Sequence, residues 1–175
     1  MKFLKINLLK KRSLGITIFI LVTYVTAIIS IQIIGPDSLI MPNEFPEECP
    51  RDSMNCTMIG PQPHRGESKT ELRFNSNLSE VILEAKNWIN GQPRTEILGE
   101  WDNQIHAVFR TMILRFPDDF AINLHCENGT SVMYIYSKSR MGISDLGVNN
   151  ERVSLFTKHM ENADINSSIC FSKKF

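Results

Sequence analysis

The fold is decided by the stretch Phe120-Ala-Ile-Asn-Leu-His-Cys-Glu-Asn-Gly-Thr-Ser-Val-Met-Tyr-Ile-Tyr136. Apolar and polar residues alternate on both sides of Asn128-Gly129, which is the strongest short-range signal for a β-hairpin because both turn residues need positive φ. A two-residue turn sets the register and brings the apolar side chains onto one face. The predicted pairs are Glu127 with Thr130, Leu124 with Met133, Ile122 with Ile135, and Ala121 with Tyr136.

A helix is predicted before the hairpin. Asn77 or Ser79 can cap its first turn, because a side-chain oxygen there accepts from backbone N–H groups. Apolar residues then recur at helical spacing until Gly91, where we expect the helix to stop. These residues are Val81, Ile82, Ala85, Trp88 and Ile89.

Two further strands are predicted between that helix and the hairpin. Pro93-Arg94-Thr95 leads into the first, which runs to about Trp101. The second runs from Ile105 to Phe116, and we expect Pro117 to end it.

After the hairpin, residues 142–147 are expected to form a loop, and Asn149 is expected to cap a final helix. Val153, Phe156 and Met160 give that helix a narrow apolar stripe. The order of helix, four strands and helix predicts an α+β domain, a two-layer sandwich. It would have a four-stranded antiparallel sheet with both helices on one face.

An uncharged apolar run lies ahead of this domain, from Leu14 to Ile34, with Gln32 as its one strongly polar side chain. A helix of that length is about 31 Å long, which matches a hydrocarbon core of about 30 Å. A helix that is apolar on every face needs burial all round, and this domain is too small to surround it. The run therefore predicts a transmembrane signal-anchor.

A cleaved signal peptide is the alternative. Its apolar region spans about 7–15 residues and ends at a small-x-small site. The run here is longer and ends on the bulky pair Ile33-Ile34, so we expect the anchor to be retained. The basic residues before the run then keep the N-terminus cytoplasmic and place the domain outside the cytoplasm. They are Lys2, Lys5, Lys10, Lys11 and Arg12.

These features divide the chain into five predicted segments. Residues 1–13 form a basic cytoplasmic tail, and residues 14–34 form the transmembrane signal-anchor. Residues 35–70 contain six prolines and are expected to be an irregular, extended linker or collar. Residues 71–163 form the α+β domain, and residues 164–175 form a loosely held C-terminal tail.

The formal net charge of zero, from 19 basic and 19 acidic residues, hides an asymmetry. Five of the basic residues lie in the first dozen positions. The rest of the chain therefore holds 14 basic against 19 acidic residues, a charge of about −5. With this balance we predict no nucleic-acid partner.

Export would place the four cysteines, Cys49, Cys56, Cys126 and Cys170, in an oxidising compartment where disulfides form. Cys49 and Cys56 are close in the Pro-rich segment and are the natural first pair, with three connectivities open. A zinc site is the alternative, but C-x6-C without a companion His pair is not a zinc spacing. We therefore predict no metal site and no cofactor.

Several segments together resemble the family known as domain of unknown function 1499. The most specific is the string S-x-S-R-x-G-x-S-D-L-G-x-N-x-x-R, from Ser137 to Arg152. The others are Cys49-Pro50 through Asn55-Cys56, Pro93-Arg94-Thr95, Ile105-His106-Ala107 to Arg110, and Phe116-Pro-Asp118-Asp119. The resemblance covers about residues 49–160 and implies no activity, because the family has no established one.

The resemblance also marks two departures from the family's pattern. Members often carry Glu at the position of Ala121 and Arg at the position of Tyr136, which the predicted register places opposite each other. An ion pair on an open sheet face is worth about 0.2–1 kcal/mol, so an apolar pair can replace it without loss of the fold. We expect no essential role at Ala121 or Tyr136.

The polar candidates for a site lie on the strands. His106 and Arg110 are four apart on one strand and point to the same face, where His106 is either catalytic or a satisfied structural histidine. Asp118 and Asp119 sit at a strand end, where a carboxylate pair could bind a cation or act as acid and base. The alternative is a solvated turn.

Further candidates lie in the Ser137–Arg152 string. Arg140 and Asp145 flank the loop, and a salt bridge between them would hold its shape. Asn149 is explained as a helix cap. Arg152 falls in the first helical turn, where a cation is unfavourable beside the helix dipole, so it needs a partner such as Asp145 or the Asp pair.

Two functional hypotheses follow. The first is a non-catalytic module that binds a lipid, a glycan or a protein near the membrane. Its binding residues would be Arg110, Arg140, Asp145, Asn149 and Arg152. The second is a membrane-anchored hydrolase that uses His106 with Asp118 or Asp119. The first is favoured because the sequence carries no recognisable reaction motif.

Overall fold

The computed structural model describes residues 2–35 and 38–171. Residues 1, 36–37 and 172–175 lie outside the described residues, and so do the side chains up to residue 11. The side chains of most of the predicted basic tail, with part of the predicted linker and the end of the predicted C-terminal tail, therefore have no structural description.

A long helix, α1 (Lys2–Ile34), is followed by a domain of six strands and two helices within the described residues. The elements of this domain are β1 (Cys56–Ile59), β2 (Leu72–Phe74), α2 (Leu78–Asn90), β3 (Thr95–Trp101), β4 (Gln104–Arg110), β5 (Pro117–Glu127), β6 (Thr130–Ser139) and α3 (Val148–Asn162). Short 3-10 helices at Pro42–Glu44 and Gly66–Ser68 lie before β2.

The strands form one antiparallel sheet in the order β1-β6-β5-β4-β3, and β2 also pairs with β6. The α+β class is confirmed, but the predicted number of four strands is wrong. β1 and β2 are four and three residues long and come from before the first predicted helix, mostly from the Pro-rich segment. They cover β6, which would otherwise leave a long strand edge open to pairing with other chains.

The β5–β6 hairpin has the predicted register. Glu127 lies opposite Thr130, and Ala121 lies opposite Tyr136. Asn128 and Gly129 take φ values of 51° and 83°, as a tight two-residue turn requires.

The strand predicted for residues 105–116 is wrong at its end. β4 stops at Arg110, and residues 111–116 form a loop, which we call the 111–116 loop. Thr111 N donates to the Phe116 carbonyl at 3.1 Å, and Phe116 N donates to Thr111 Oγ1 at 2.9 Å, so the loop is closed at its base. Pro117 begins β5 instead of ending β4, because a proline is tolerated as the first residue of a strand.

Helices α2 and α3 pack on one face of the sheet, as predicted. Asn77 caps α2, its side chain accepting from Glu80 N at 3.0 Å. Trp88 lies among the core aromatic rings, 5.0 Å from Phe156 between centroids. The buried residues of this core include Val81, Ala85, Ile89, Ile105, Phe120, Ile122, Leu124, Met133, Ile135, Val153, Phe156 and Met160.

The other face of the sheet, which we call the outer face, is not left to solvent. Residues 38–49 of the predicted linker lie across it and build a second apolar cluster. From here on we use the name collar for residues 38–49 alone. The members of the cluster are Ile40, Phe45, Cys49, Cys56, Met58 and Tyr136. A Cβ on Gly99 would clash with the Trp101 ring and come within 2.7 Å of Leu39 Cδ1, so the glycine leaves room for both side chains. The predicted two-layer sandwich therefore carries a partial third layer.

Two disulfides hold the ends of the domain. Cys49 bonds to Cys56, as expected for the first pair, and ties the collar to β1. Cys126 bonds to Cys170 and ties the C-terminal segment to the end of β5. Cys170 N also donates to the Gly129 carbonyl at 3.0 Å, so the described part of the tail is fastened, contrary to expectation.

Helix α1 is long and apolar enough to be a membrane anchor or a signal sequence. Most of its described apolar side chains are exposed. Thr17, Thr23 and Thr26 each donate to the carbonyl four residues earlier, at 2.8–3.0 Å, which hides their hydroxyl groups on the helix itself.

We expect the Cys126–Cys170 bond to be the more stabilising disulfide. It closes a loop with a sequence separation of 44, against 7 for Cys49–Cys56. Chain entropy then gives about 4 kcal/mol against about 2 kcal/mol. Denaturant unfolding of the detergent-extracted chain should show the larger loss of free energy for Cys126→Ser/Cys170→Ser. A larger loss for the matched control, Cys49→Ser/Cys56→Ser, would contradict this.

Candidate functional site

Asp118 and Asp119 do not form a carboxylate pair. Both lie within β5, opposite Phe109 and Val108 of β4, and not in a turn. Because successive side chains of a strand point to opposite faces, Asp118 faces the helices and Asp119 lies on the outer face. The predicted arrangement of two carboxylates side by side at a strand end is therefore wrong.

Asp118 is the buried partner of Arg152. Arg152 Nη2 donates to Asp118 Oδ2 at 2.8 Å, and the two side chains are 9% and 2% exposed. The Arg152 guanidinium also lies 4.5 Å from the centroid of the Phe109 ring, a cation–π arrangement. Ser139 Oγ donates to the other oxygen of Asp118. The expectation that Arg152 needs an acidic partner is met by Asp118.

Asn149 is not the helix cap that we expected. α3 begins at Val148, so Asn149 lies inside the first turn, where its side chain is fully buried. Its amide Nδ2 donates to the Asn55 carbonyl at 3.2 Å, and its Oδ1 accepts from Ser137 Oγ at 2.6 Å and from Arg152. Asn149 therefore joins α3, β6 and the segment before β1.

Gly147 occupies the N-cap position of α3, and the carboxylate of Asp145, two residues earlier, bonds the first backbone N–H groups. This carboxylate accepts from Gly147 N at 2.9 Å and from Asn149 N at 2.8 Å. Arg65 Nη1 lies 3.3 Å from it. Burial raises the pKa of Asp145, but these hydrogen bonds outweigh burial and hold the pKa below its usual range. Among the described contacts, Asp145 pairs with Arg65 and Arg140 pairs with Asp119, in place of the predicted Arg140–Asp145 bridge.

Asp119 is the centre of the cluster on the outer face. Arg140 Nε lies 3.0 Å from both of its carboxylate oxygens, and Arg140 Nη2 donates to Oδ1 at 2.6 Å. His106 Nε2 donates to Oδ1 at 2.8 Å. Burial raises the pKa of Asp119, yet the hydrogen bonds from His106 and Arg140 outweigh it and hold the pKa below the usual range.

His106 is fully buried, and its ring uses both nitrogens. Nδ1 accepts from the Ile40 backbone N–H at 3.1 Å, so the ring proton sits on Nε2 and is donated to Asp119. The neighbouring Gln104 donates from Nε2 to the Ile40 carbonyl at 2.8 Å. Two side chains of β4 thus hold both backbone groups of Ile40 and fasten the collar to the sheet.

Arg110 lies on the same strand as His106 and on the same face, as predicted, but it does not reach Asp119. Arg110 Nη1 lies 3.3 Å from Glu96 Oε2, and Arg110 Nε lies 3.5 Å from Gln32 Oε1 of α1. It therefore connects the sheet to the long helix.

Ala121 and Tyr136 face each other on the outer face, beside this cluster. Tyr136 is mostly buried under the collar. Burial and the nearby Asp119 carboxylate raise the pKa of Tyr136 to about 12, so its hydroxyl stays protonated at neutral pH.

The candidates therefore form two buried clusters, divided by the sheet. One holds Asp118, Asn149 and Arg152; the other holds His106, Asp119 and Arg140. Sequence reasoning missed Asn55 and Gln104, which bind the loop and the collar. Asn55 donates from Nδ2 to the Gly142 carbonyl at 2.7 Å. The available signal for Gln104 was a polar side chain directly before the mostly apolar segment 105–109.

The charged side chains of both clusters are bonded to other parts of the domain. Among the described residues, no group of three His, Cys, Asp or Glu side chains is placed to hold a metal ion. A cavity of about 480 Å³ lies elsewhere, between β2 and the end of α3. Its lining includes Lys69, Arg73, Phe74, Met160, Glu161 and Ile165. The paired charges instead hold layers together.

The exposed part of the Ser137–Arg152 string includes large apolar side chains. Ile143 is 86% exposed and Leu146 is 94% exposed. Met54 is exposed as well and bridges to Ser144, so it lies beside them. We call Met54, Ile143, Leu146 and Val148 the loop face.

Breaking the Asp118–Arg152 pair should destabilise the fold strongly. Arg152→Met leaves a buried carboxylate without its cation, which costs about 3–5 kcal/mol of unfolding free energy. The double variant Asp118→Asn/Arg152→Met should lose less than the sum of its single changes. The matched control is Lys86→Met in the exposed Lys86–Glu100 pair, for which we expect less than about 1 kcal/mol. Additive single changes would argue against coupling.

Asp119 should make the domain less stable in acid. The pKa of Asp119 in the folded state lies below the unfolded value of about 3.9. Its contribution to the free energy of unfolding is therefore complete above about pH 3.9 and is lost as the pH falls through the folded pKa. Unfolding free energy measured from pH 6 downward should therefore fall less steeply below about pH 4 in Asp119→Asn. The exposed Asp164→Asn serves as control, and an unchanged slope in Asp119→Asn would refute the assignment.

The sequence of this chain matches a known protein family. The family model described as "Protein of unknown function (DUF1499)" matches residues 41–160. No curated protein matches the chain. The crystal structure of CalU16 from Micromonospora echinospora is similar over 54% of this chain and 74% of that chain, with 14% identity and a TM-score of 0.38. On the family match, which covers well over half of its length, the chain belongs to the family of proteins of unknown function DUF1499.

Proposed function

We propose that this protein is a single-pass membrane protein whose exported domain binds lipid at the membrane surface without catalysis. α1 supplies the anchor, with the basic N-terminal residues on the cytoplasmic side. The two disulfides fit an oxidising compartment for the domain.

The observation that carries the proposal is the exposure of Ile143 and Leu146 on a loop that the fold holds in place. The Asp145 carboxylate accepts from Gly147 N in this loop and from Asn149 N in the first turn of α3, and Asn55 donates to the Gly142 carbonyl. Holding large apolar side chains in water on a fixed loop forgoes about 1.5–3 kcal/mol of burial for each. Such a patch is typical of an interaction site.

The loop face lies at the end of the domain where α1 joins it. A Cβ on Gly35, the residue after α1, would come within 3.2 Å of Met141 Sδ and of Pro117 Cγ. If α1 crosses a bilayer, its last residues lie at the membrane surface. Residues 141–148 then lie close to the headgroups.

Lipid fits this face better than a glycan does. Sugar hydroxyl groups lose hydrogen bonds to water when they are buried against aliphatic side chains, whereas acyl chains gain contact area there. Arg65 lies beside the loop and is partly exposed, so a cation is available near lipid phosphates. A protein partner for the same apolar face is the competing outcome of the experiment below.

The hydrolase hypothesis for His106, Asp118 and Asp119 stays a prediction that draws less support from the geometry. Both ring nitrogens of His106 are bonded within the fold, and the two carboxylates lie on opposite faces of the sheet. A base for water or substrate must be within reach of the proton that it removes. His106 has no exposed surface from which to do so.

Replacing the loop face should weaken lipid binding while the fold is kept. Ile143→Ser/Leu146→Ser removes the two most exposed apolar side chains, and lipid that co-purifies with the detergent-extracted chain should fall at least tenfold, because each residue contributes about 1.5–3 kcal/mol when buried. Quantitative lipid mass spectrometry measures this. The matched control is Leu83→Ser/Leu155→Ser, about half exposed on α2 and α3.

An unchanged lipid set in the loop variant would overturn the proposal. Loss of a co-purified protein with unchanged lipid would also overturn it, and would assign the loop face to a protein partner.

A further inference from the structure

The 111–116 loop is the most apolar turn between strands of this sheet. Its sequence is Thr-Met-Ile-Leu-Arg-Phe. Two of its six residues are apolar and largely exposed: Met112 is 70% exposed and Ile113 is 63% exposed. A surface loop normally carries polar residues that suit water. This loop therefore places Met112 and Ile113 where a soluble domain normally has polar side chains.

The loop runs beside α1 and is bonded to it at two levels. Tyr24 Oη donates to the Ile113 carbonyl at 2.8 Å, and Gln32 Nε2 donates to the Arg115 carbonyl at 3.1 Å. The two helix residues are eight apart, which corresponds to about 12 Å along a helix axis. The loop therefore extends from the end of α1 back along its side, toward the N-terminus.

These bonds explain the polar residues of α1. Gln32 is the strongly polar side chain of the apolar run, and such a residue in a transmembrane segment normally marks a specific contact. The three threonines with a described bond donate to the helix itself. Gln32 and Tyr24 instead donate to the 111–116 loop, and Gln32 also lies against Arg110 at the end of β4.

The depth of the loop follows from the helix geometry. Tyr24 lies ten residues before Ile34, or about 15 Å along the axis. The hydrocarbon core is about 30 Å thick. The Ile113 carbonyl is two residues, at most about 7 Å of chain, from the Arg115 carbonyl that Gln32 binds near the helix end. A helix that spans the core with Ile34 near the outer edge therefore places the Ile113 carbonyl below that edge, in the outer half of the core.

Part of the backbone of the loop is paired within the protein. Backbone polar groups in a bilayer must find partners within the protein. The carbonyl groups of Ile113 and Arg115 accept from α1, and the Phe116 carbonyl accepts from Thr111 N. Arg115 lies at the level of Gln32, near the helix end, where a guanidinium can reach lipid headgroups.

We propose that the 111–116 loop enters the outer half of the bilayer beside α1, so that the domain meets the membrane with Met112 and Ile113 in the acyl region. This inference rests on the proposed function only in that α1 spans the membrane. The loop and α1 together then fix the tilt of the domain and turn the loop face toward the headgroups.

The test uses single cysteines in the full chain. The four native cysteines are all in disulfides, so an engineered cysteine is the only free thiol. Met112→Cys, Val22→Cys in α1 and Leu155→Cys on α3 are labelled with an environment-sensitive fluorophore and placed in phosphatidylcholine vesicles. Val22 reports whether α1 spans, and the exposed Leu155 serves as the water-facing control. Each is measured with iodide in the water and with nitroxides on the acyl chains.

We expect the labels at Met112 and Val22 to be shielded from iodide and strongly quenched by the acyl nitroxides, with the reverse for Leu155. A label at Met112 that behaves like Leu155 while Val22 is shielded would overturn the insertion of the loop and leave the anchor intact. A label at Val22 that iodide reaches would overturn the spanning helix itself. A Met112 label shielded from both quenchers would assign the loop to a protein contact and refute the proposal.

Discussion

Two adjacent carboxylates on one central strand hold the layers of this protein together. Strand geometry forces the side chains of Asp118 and Asp119 to opposite faces of the sheet. Asp118 reaches Arg152 and so fixes the start of α3 on the helix side. Asp119 reaches His106, and His106 in turn accepts from the backbone of Ile40 in the collar. One dipeptide therefore specifies what covers each face of the sheet.

This arrangement specifies a register more than it adds stability. A buried ion pair loses most of its Coulombic gain to desolvation, yet the loss of one partner is costly. A slip of β5 by one residue would exchange the two carboxylates between faces and leave Arg152 and Arg140 each without the acid described here. The apolar alternation of the hairpin already disfavours that slip, and the two ion pairs penalise it a second time.

The sequence predicts best where local chemistry and burial agree. The Asn128-Gly129 turn dictates its own register, so the pairing of the hairpin follows from two residues. β1 and β2 escaped prediction because they are short and are stabilised by pairing with β6, which their own sequence does not reveal. The role of Asn149 escaped prediction for a related reason. The Asp145 carboxylate bonds the backbone N–H at the start of α3, so the side-chain amide of Asn149 is free to make buried contacts with other segments.

The Ser137–Arg152 string can now be assigned almost residue by residue to the shape of a loop. Ser137, Ser139, Asn149 and Arg152 belong to the buried cluster around Asp118. Arg140 binds Asp119, Asp145 bonds the backbone N–H at the start of α3, Ser144 Oγ accepts from Leu146 N, and Gly142 and Gly147 take φ values of 85° and 89°.

Leu146 remains. Its side chain is 94% exposed, so packing within the domain does not account for a leucine there. A residue that the fold holds firmly but does not use is best explained by something outside the fold. Leu146 lies on the same end of the domain as the 111–116 loop and the end of α1, and the proposed function would place it against lipid.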